Sequence, residues 1–343
     1  MSLFLHGLGH AHPPNEITNR FLEELDIGTS ESWILERVGI RSRRTVLPLD
    51  YIRETRNRDL RAAPGAAEIT NAELAARAAR LALERAGLGP ADVGLVLSGS
   101  SAPDSLCPAE ACSIAAALGV DAPAWDLNSA CSSFGVGMHT LASLRPEALP
   151  RFALLVSVDA FTKVTDYTDR GTAVLWGDGA AAAVVSPTEP GFARVLGTHV
   201  ASDPRGWEKV RVPRTRHFFQ EGRAVQMFVI RRTQQAWEAL RAGFGEPGRS
   251  MHLVAHQANL RALHTVAQRA GVPSERHHTN VELFGNTGCP GAPSVVSQAW
   301  EKWEPRDDVA VIGVGGGLTW ARTLLRFDRA PAGAARAEPG GGA

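Results

Sequence analysis

The chain has 343 residues, with 36 Lys and Arg against 36 Asp and Glu, and 44% of it is hydrophobic. That length suits one large domain or two fused halves. Zero net charge removes a global attraction to nucleic acid or an anionic membrane, and no apolar run reaches the length of a membrane span.

Met1 to Leu5 leads into a strand-like run with no basic n-region, so no signal peptide is expected. Phe4 to Leu8 reads as a strand, followed by a loop holding His10, His12, Pro13 and Pro14. Residues 17–39 read as helical in pieces, with Thr29 or Ser30 as a cap. Residues 46–70 break the pattern, and the run Arg53 to Arg61 supports no assignment. Asn71 to Ala86 is an Ala/Leu/Arg helix ending at Gly87. Val93 to Ser98 reads as a buried strand and Pro108 to Leu118 as a helix. Pro123 to Leu127 reads as a short buried strand, broken by Asn128 and Ser129. Beyond Cys131 the spacing of Phe134, Met138, Leu141 and Leu144 predicts a buried helix. Phe152 to Val158 and Ala180 to Val185 read as strands, with a turn at Gly177-Asp178-Gly179 before the second.

The grammar then repeats. Phe192 to Val200 resembles the opening strand, Gln226 to Phe244 is an amphipathic helix, and Met251 to Val254 answers Val93 to Ser98. A helix (Leu260 to Ala270) and two closing strands (Val309 to Val314, Thr323 to Phe327) follow. Alternating strands and helices argue for α/β layers. The chain thus divides into two βαβαβ-like halves, 1–186 and 187–329. The Ala/Gly/Pro-rich tail, 330–343, is expected to be disordered.

The chemistry concentrates at Cys131. It falls at a strand-to-helix turn, where helix N-terminal N–H groups and the macrodipole favour thiolate. Small neighbours (Ala130, Ser132, Ser133) would let a substrate carbonyl approach closely. The four cysteines (Cys107, Cys112, Cys131, Cys289) are spaced for neither a disulfide framework nor paired zinc ligands. The expected compartment is the reducing cytoplasm. In the second half His256 follows a strand end, and Asn286 lies in a glycine-flanked turn. A nucleophilic thiol needs such partners, distant in sequence but close in space. His252 and His256 share a strand face, but no third ligand accompanies them, so no metal is expected. The glycines of Gly313 to Leu318 are wrongly spaced for a dinucleotide fingerprint. They suit a loop whose backbone N–H comes close to a reacting oxygen.

These stretches together resemble the β-ketoacyl-acyl-carrier-protein synthase III family of thiolase-fold condensing enzymes. The matching segments are Ser32-Trp33-Ile34 with Arg37 to Arg41, Asp126 to Phe134, Thr168 to Thr172 and Trp176 to Ala180. His256 to Asn259, Gly285-Asn286-Thr287 and Gly315 to Trp320 complete the set, in the family's order. The resemblance implies an α/β thiolase fold, five layers (αβαβα) from two duplicated halves, and a homodimer. It implies a Cys131–His256–Asn286 triad and an oxyanion hole from the backbone N–H groups of Cys131 and Gly316. It places Trp33, Arg37 and Asn259 on the coenzyme A or phosphopantetheine arm of a thioester substrate. It places Arg261 and Lys163 where an acyl carrier protein docks. The substrates implied are an acyl thioester and a malonyl thioester, with no separate cofactor.

Three departures set expectations of their own. Residues 46–70 are longer than the usual connection, and their arginines suit either a solvated face or a carrier-docking surface. Cys107 stands where relatives place a phenylalanine that closes the acyl pocket across the dimer, which suggests room for a larger acyl group and a role in specialised metabolism. Gly288-Cys289-Pro290-Gly291 departs from the usual small-residue helix start. Alternatives are transfer of the acyl group to a hydroxyl or amine, condensation of two β-ketoacyl chains, and a non-catalytic partner subunit.

Overall fold

A computed structural model of the chain describes residues 3–331. In the first half the principal elements are β1 (Leu3–Ala11), α1 (Asn71–Ala86), β2 (Val96–Gly99), α2 (Glu110–Leu118), β3 (Ala124–Asp126), α3 (Ser133–Ser143), β4 (Ala153–Ala160) and β5 (Asp178–Ser186). The second half gives β6 (Ala193–Ser202), α4 (Gly222–Phe244), β7 (Ser250–Ala255), α5 (Leu260–Ala270), α6 (Gly291–Gln298), β8 (Asp307–Gly315) and β9 (Thr319–Phe327). Part of the expected tail, residues 332–343, lies outside the described residues.

Local chemistry sets several boundaries. Thr70 and Glu73 form a reciprocal capping box at the start of α1, and Gly87 ends it in the left-handed region at φ 67°. Every residue of β4 and β5 is buried. This is why both strands read as continuous apolar runs rather than as alternating ones.

The two halves repeat one topology. The first runs β3-β2-β4-β5-β1, with β2 parallel to both β3 and β4, and β5 antiparallel to its neighbours. The second runs β7-β8-β9-β6, with β7 parallel to β8 and β9 antiparallel to both neighbours. Its counterpart of β3 has shrunk to one parallel bridge between Leu253 and His277. Antiparallel pairing of β1 with β6, Leu3 opposite Val195, joins the halves into nine hydrogen-bonded strands.

Helices α3 and α6 form the central layer. α3 packs on β2 and β4 of one half and on β6, β8 and β9 of the other. α6 packs on β1 and β5 and on β7 and β8. The squeeze shows in α3 itself: a Cβ on Gly135 would lie 2.7 Å from Ala321 Cβ, and one on Gly137 2.5 Å from Leu155. With α1 and α2 outside one set of strands and α4 and α5 outside the other, the order is αβαβα.

Three local expectations change. β3 is an edge strand, not a buried one: it pairs only with β2, and Trp125 is 45% exposed. Asp178 and Gly179 belong to β5 rather than to a turn. Residues 46–70 contain two short helices, Leu49–Thr55 and Ala63–Ala66. Arg53 and Arg61 pair locally with Asp50 and Asp59, giving a solvated charged face.

Candidate active site

The turn from β3 into α3 is tied by its own polar atoms. Ser129 N donates to Ser133 Oγ at 2.8 Å, and Ala130 N donates to Asn128 Oδ1 at 2.8 Å. Ala130 is left-handed at φ 48°, a conformation that costs a non-glycine residue about 1–2 kcal/mol. The next residue is Cys131. A Cβ on Gly315 would come within 2.7 Å of Cys131 N. Only glycine lets the β8 end lie this close, and it brings the Gly315–Gly316 backbone against the Cys131 amide.

His256 follows the end of β7. Its neighbour Gln257 fixes the loop: Oε1 accepts from Asn280 N at 3.0 Å and Val281 N at 3.3 Å, and Nε2 donates to Ala255 O at 2.7 Å. Asn286 is held on its backbone by Leu175 O at 2.8 Å and Gly177 N at 3.0 Å. Asn286 Oδ1 accepts from Gly288 N at 3.0 Å. That bond fixes which end of the amide is the acceptor and leaves Nδ2 as its donor.

Cys131, His256, Asn286 and Gly316 line one cavity of about 50 Å³, walled by Trp176, Phe218, Phe228 and Leu318. An outer groove of about 440 Å³ is lined by Trp33, Arg37, Arg170 and Asn259. The two share Gln220, Val225, Val229, Ala258 and Asn286, so the groove leads inward to the thiol. Two guanidinium groups lie over the Trp33 ring, Arg37 at 5.7 Å and Arg170 at 5.1 Å from its centroid. Asn259 caps α5 through Oδ1, which accepts from Ala262 N at 3.2 Å.

Burial decides the protonation of the pair. It pushes the Cys131 thiol well up, and the Asp159 carboxyl adds to the shift. It lowers His256 to about 4. The resting site therefore holds a thiol and a neutral imidazole. Desolvation thus works against the thiolate that the helix N-terminus favours, a term of about 0.3–1 kcal/mol at an exposed site. His256 Nδ1 has no partner among the described residues.

One sequence expectation fails on geometry. Lys163 is buried, and its ammonium binds Asp104 and Asn71 Oδ1. It knits the interior and offers nothing to a docking protein. Cys107 is exposed on this chain, as a residue reaching the other subunit's pocket would be. Arg261 is exposed beside the groove, its Nη2 3.4 Å from Leu35 O. His252 bonds His278 at 2.9 Å and Asp307 at 3.2 Å. Among the described residues no group of three His, Cys, Asp or Glu is placed for a metal.

Sequence reasoning missed two supports. Asp159, fully buried, accepts from Ser101 N at 2.6 Å and Cys289 N at 2.9 Å, tying the loop after β2 to the turn after Asn286. Arg43, also fully buried, donates to Val174 O and to Asn19 Oδ1 at 2.6 Å. Arg43-Arg44 carries no sequence signal of burial.

This fold and site define a thiolase-fold condensing enzyme. Models of 3-oxoacyl-(acyl-carrier-protein) synthase III match residues 125–204 and, for its C-terminal part, 247–327. The beta-ketoacyl-(acyl-carrier-protein) synthase III of Geobacillus kaustophilus is 32% identical over 328 residues, covering 94% of this chain and 98% of the relative. The 3-oxoacyl-(acyl carrier protein) synthase III structure from Pseudomonas aeruginosa PAO1 superposes with a TM-score of 0.82 at 31% identity, over 96% of this chain and 99% of that one. The priming β-ketosynthase of the R1128 polyketide pathway gives 0.79 at 28%, over 96% and 97%. The chain belongs to the 3-oxoacyl-(acyl-carrier-protein) synthase III family.

Proposed function

We propose that the protein loads an acyl group from a thioester onto Cys131 and condenses it with a malonyl thioester, releasing carbon dioxide and a β-ketoacyl product. The observation that carries this reading is the shared cavity. One chamber holds a thiol, a neutral imidazole, an amide whose donor end is free, and the Gly316 backbone.

The steps follow from those groups. Cys131 Sγ attacks the thioester carbonyl while His256 takes the thiol proton. The tetrahedral oxygen lies toward the N–H groups of Cys131 and Gly316, each such donor being worth about 3–4 kcal/mol. The carbonyl carbon–sulfur bond to the carrier breaks, and the leaving thiolate takes the proton from His256. A malonyl thioester then enters and loses carbon dioxide. The electron pair of the broken bond becomes an enolate whose oxygen accepts from Asn286 Nδ2 and from His256, whose neutral ring has by then changed to the tautomer with its proton on the cavity-facing nitrogen. The enolate carbon attacks the acyl-Cys131 carbonyl, and collapse expels the Cys131 sulfur. The expelled Cys131 thiolate takes one proton from solvent and returns to the resting thiol, so the cycle consumes one proton and calls on no separate cofactor. Asn286 Nδ2 favours this sequence over transfer to a hydroxyl or amine, which needs no enolate donor.

The partners are read from surfaces. Trp33, Arg37 and Asn259 suit the nucleotide and pantetheine of a coenzyme A thioester. An acidic acyl carrier protein suits Arg261 together with a groove of about 710 Å³ that includes Arg231 and Arg269. Met227 in that groove is 57% exposed and gives an apolar contact. A homodimer suits the open edge of β3, where Trp125 is exposed and the nearby Leu106 is 72% exposed. All four cysteines are free, in keeping with a reducing compartment. Among the described residues no helix is long and apolar enough to cross a membrane.

Product analysis tests the reaction. Incubation with an acyl-coenzyme A and malonyl carrier protein should yield carbon dioxide and a new carbon–carbon bond in equal amounts. An ester or amide without carbon dioxide would place the enzyme among acyltransferases instead.

A further inference from the structure

Asp159, near the end of β4, is a fully buried carboxyl that the steps above do not use. Its two oxygens divide their backbone donors between two loops. Oδ1 accepts from Ser101 N at 2.6 Å, Ala102 N at 3.3 Å and Ser100 Oγ at 3.3 Å. Oδ2 accepts from Cys289 N at 2.9 Å and Ser101 Oγ at 3.4 Å. Burying a carboxyl is costly, and here these converging donors offset the cost.

The Cys289 contact leads to Asn286, which lines the Cys131 cavity. Cys289 N belongs to the planar Gly288–Cys289 peptide, so its bond to Asp159 fixes that plane. Gly288 is left-handed at φ 73°, and a Cβ on it would lie 2.3 Å from Asp159 Oδ2. The carboxyl is therefore packed against this turn as well as bonded to it, which gives the glycine at 288 a physical reason. Gly288 N in turn donates to Asn286 Oδ1 at 3.0 Å. The Asn286 backbone has its own anchors, Leu175 O and Gly177 N. What depends on the Gly288 turn is the side-chain amide.

Resting on the condensing reading above, we infer that Asp159 is a positioning residue for carbon dioxide release: through Cys289 N and Gly288 it aims Asn286 Nδ2 at the enolate oxygen. In that step the bond from the malonyl α-carbon to its carboxylate breaks, and the freed electron pair becomes the enolate. A donor displaced by about 1 Å loses up to about 100-fold in rate. Loading of Cys131 uses the N–H groups of Cys131 and Gly316 and not Asn286, so the two half-reactions should part.

Asp159→Asn is the probe. An amide oxygen replaces only one carboxylate oxygen. Set at Oδ1, it keeps Ser101 N and Ala102 N, and the amide nitrogen then meets Cys289 N donor to donor. Loading is read by intact-protein mass spectrometry, with whichever of the acetyl- to octanoyl-coenzyme A thioesters labels Cys131 fastest. Carbon dioxide release is read on the loaded enzyme with malonyl carrier protein. Release should fall about 10- to 100-fold and loading less than about threefold. In an Asn286→Asp background, which already lacks the donor, Asp159→Asn should lower release no further. Equal losses in both half-reactions, or a further loss in that background, would make Asp159 a general tie in the fold and overturn the inference; so would an unchanged rate. Should Asp159→Asn not fold, Gly288→Ala presses on the same turn and must show the same split, or the inference fails. Cys131 loading without carbon dioxide from the unaltered enzyme instead overturns the condensing reading, and this inference with it.

Discussion

Asn286 Oδ1 accepts the backbone N–H of Gly288, so the amide nitrogen is the end left for substrate. The distinction between a condensing enzyme and a simple acyltransferase rests on that one orientation. Asn286→Asp keeps an acceptor for Gly288 and removes the donor. Carbon dioxide release should fall by about 100-fold or more, the loss typical of one donor to a developing oxyanion. Acyl loading on Cys131 should fall far less. Equal losses in both half-reactions would contradict the assignment.

Lys163 and Arg261 should separate cleanly. Lys163→Met leaves Asp104 without its buried cation, and breaking a buried pair costs about 3 kcal/mol or more. Urea unfolding should show that loss. Arg261→Ala, on the surface, should change stability by less than about 0.5 kcal/mol but raise KM for malonyl carrier protein. A stable Lys163→Met protein with weakened carrier use would restore the docking role that burial denies it.

Trp33→Ala removes the ring under Arg37 and Arg170. It should raise KM for coenzyme A thioesters about tenfold, as expected for an aromatic anchor. Short pantetheine thioesters lacking the nucleotide should be used as before. Equal effects on both donors would move Trp33 from the nucleotide end to the arm.

Acid should destabilise the fold before it reaches the carboxylates' ordinary range. Burial lowers His10, His12, His256, His277 and His278 to about 4. Between about pH 6.5 and 4 the unfolded chain holds more protons on these groups, so their contribution is complete above 6.5 and is lost as pH falls. Buried Asp178, raised to about 6, and Asp159, also raised, act in the opposite sense but are outnumbered. Each net proton is worth about 1.4 kcal/mol per pH unit. Urea midpoints should fall from pH 7 to 6 to 5; a flat or rising series would contradict the buried neutral histidines.

The catalytic constellation was legible because its chemistry sits in short local patterns. Asn128 to Ser133, His256-Gln257 and Gly285-Asn286 each impose a turn, and glycine at 315 is demanded by the Cys131 amide. The duplicated layers were legible from the repeat of strand and helix periods. What stayed hidden depends on distant neighbours. Lys163 looks like any surface lysine until Asp104 and Asn71 close over it. The apolar run at β3 looks buried because nothing local marks the edge of a sheet. The desolvation that opposes a Cys131 thiolate was hidden for the same reason: the helix terminus is visible in sequence, and the enclosing walls are not.

Intact-protein mass spectrometry after incubation with short acyl-coenzyme A thioesters tests the central claim most directly. The unaltered chain should gain the mass of one acyl group, and Cys131→Ala should gain none. An adduct that persists in Cys131→Ala, or no adduct with any thioester or acyl carrier, would contradict the assignment of Cys131 as the residue that carries the acyl group.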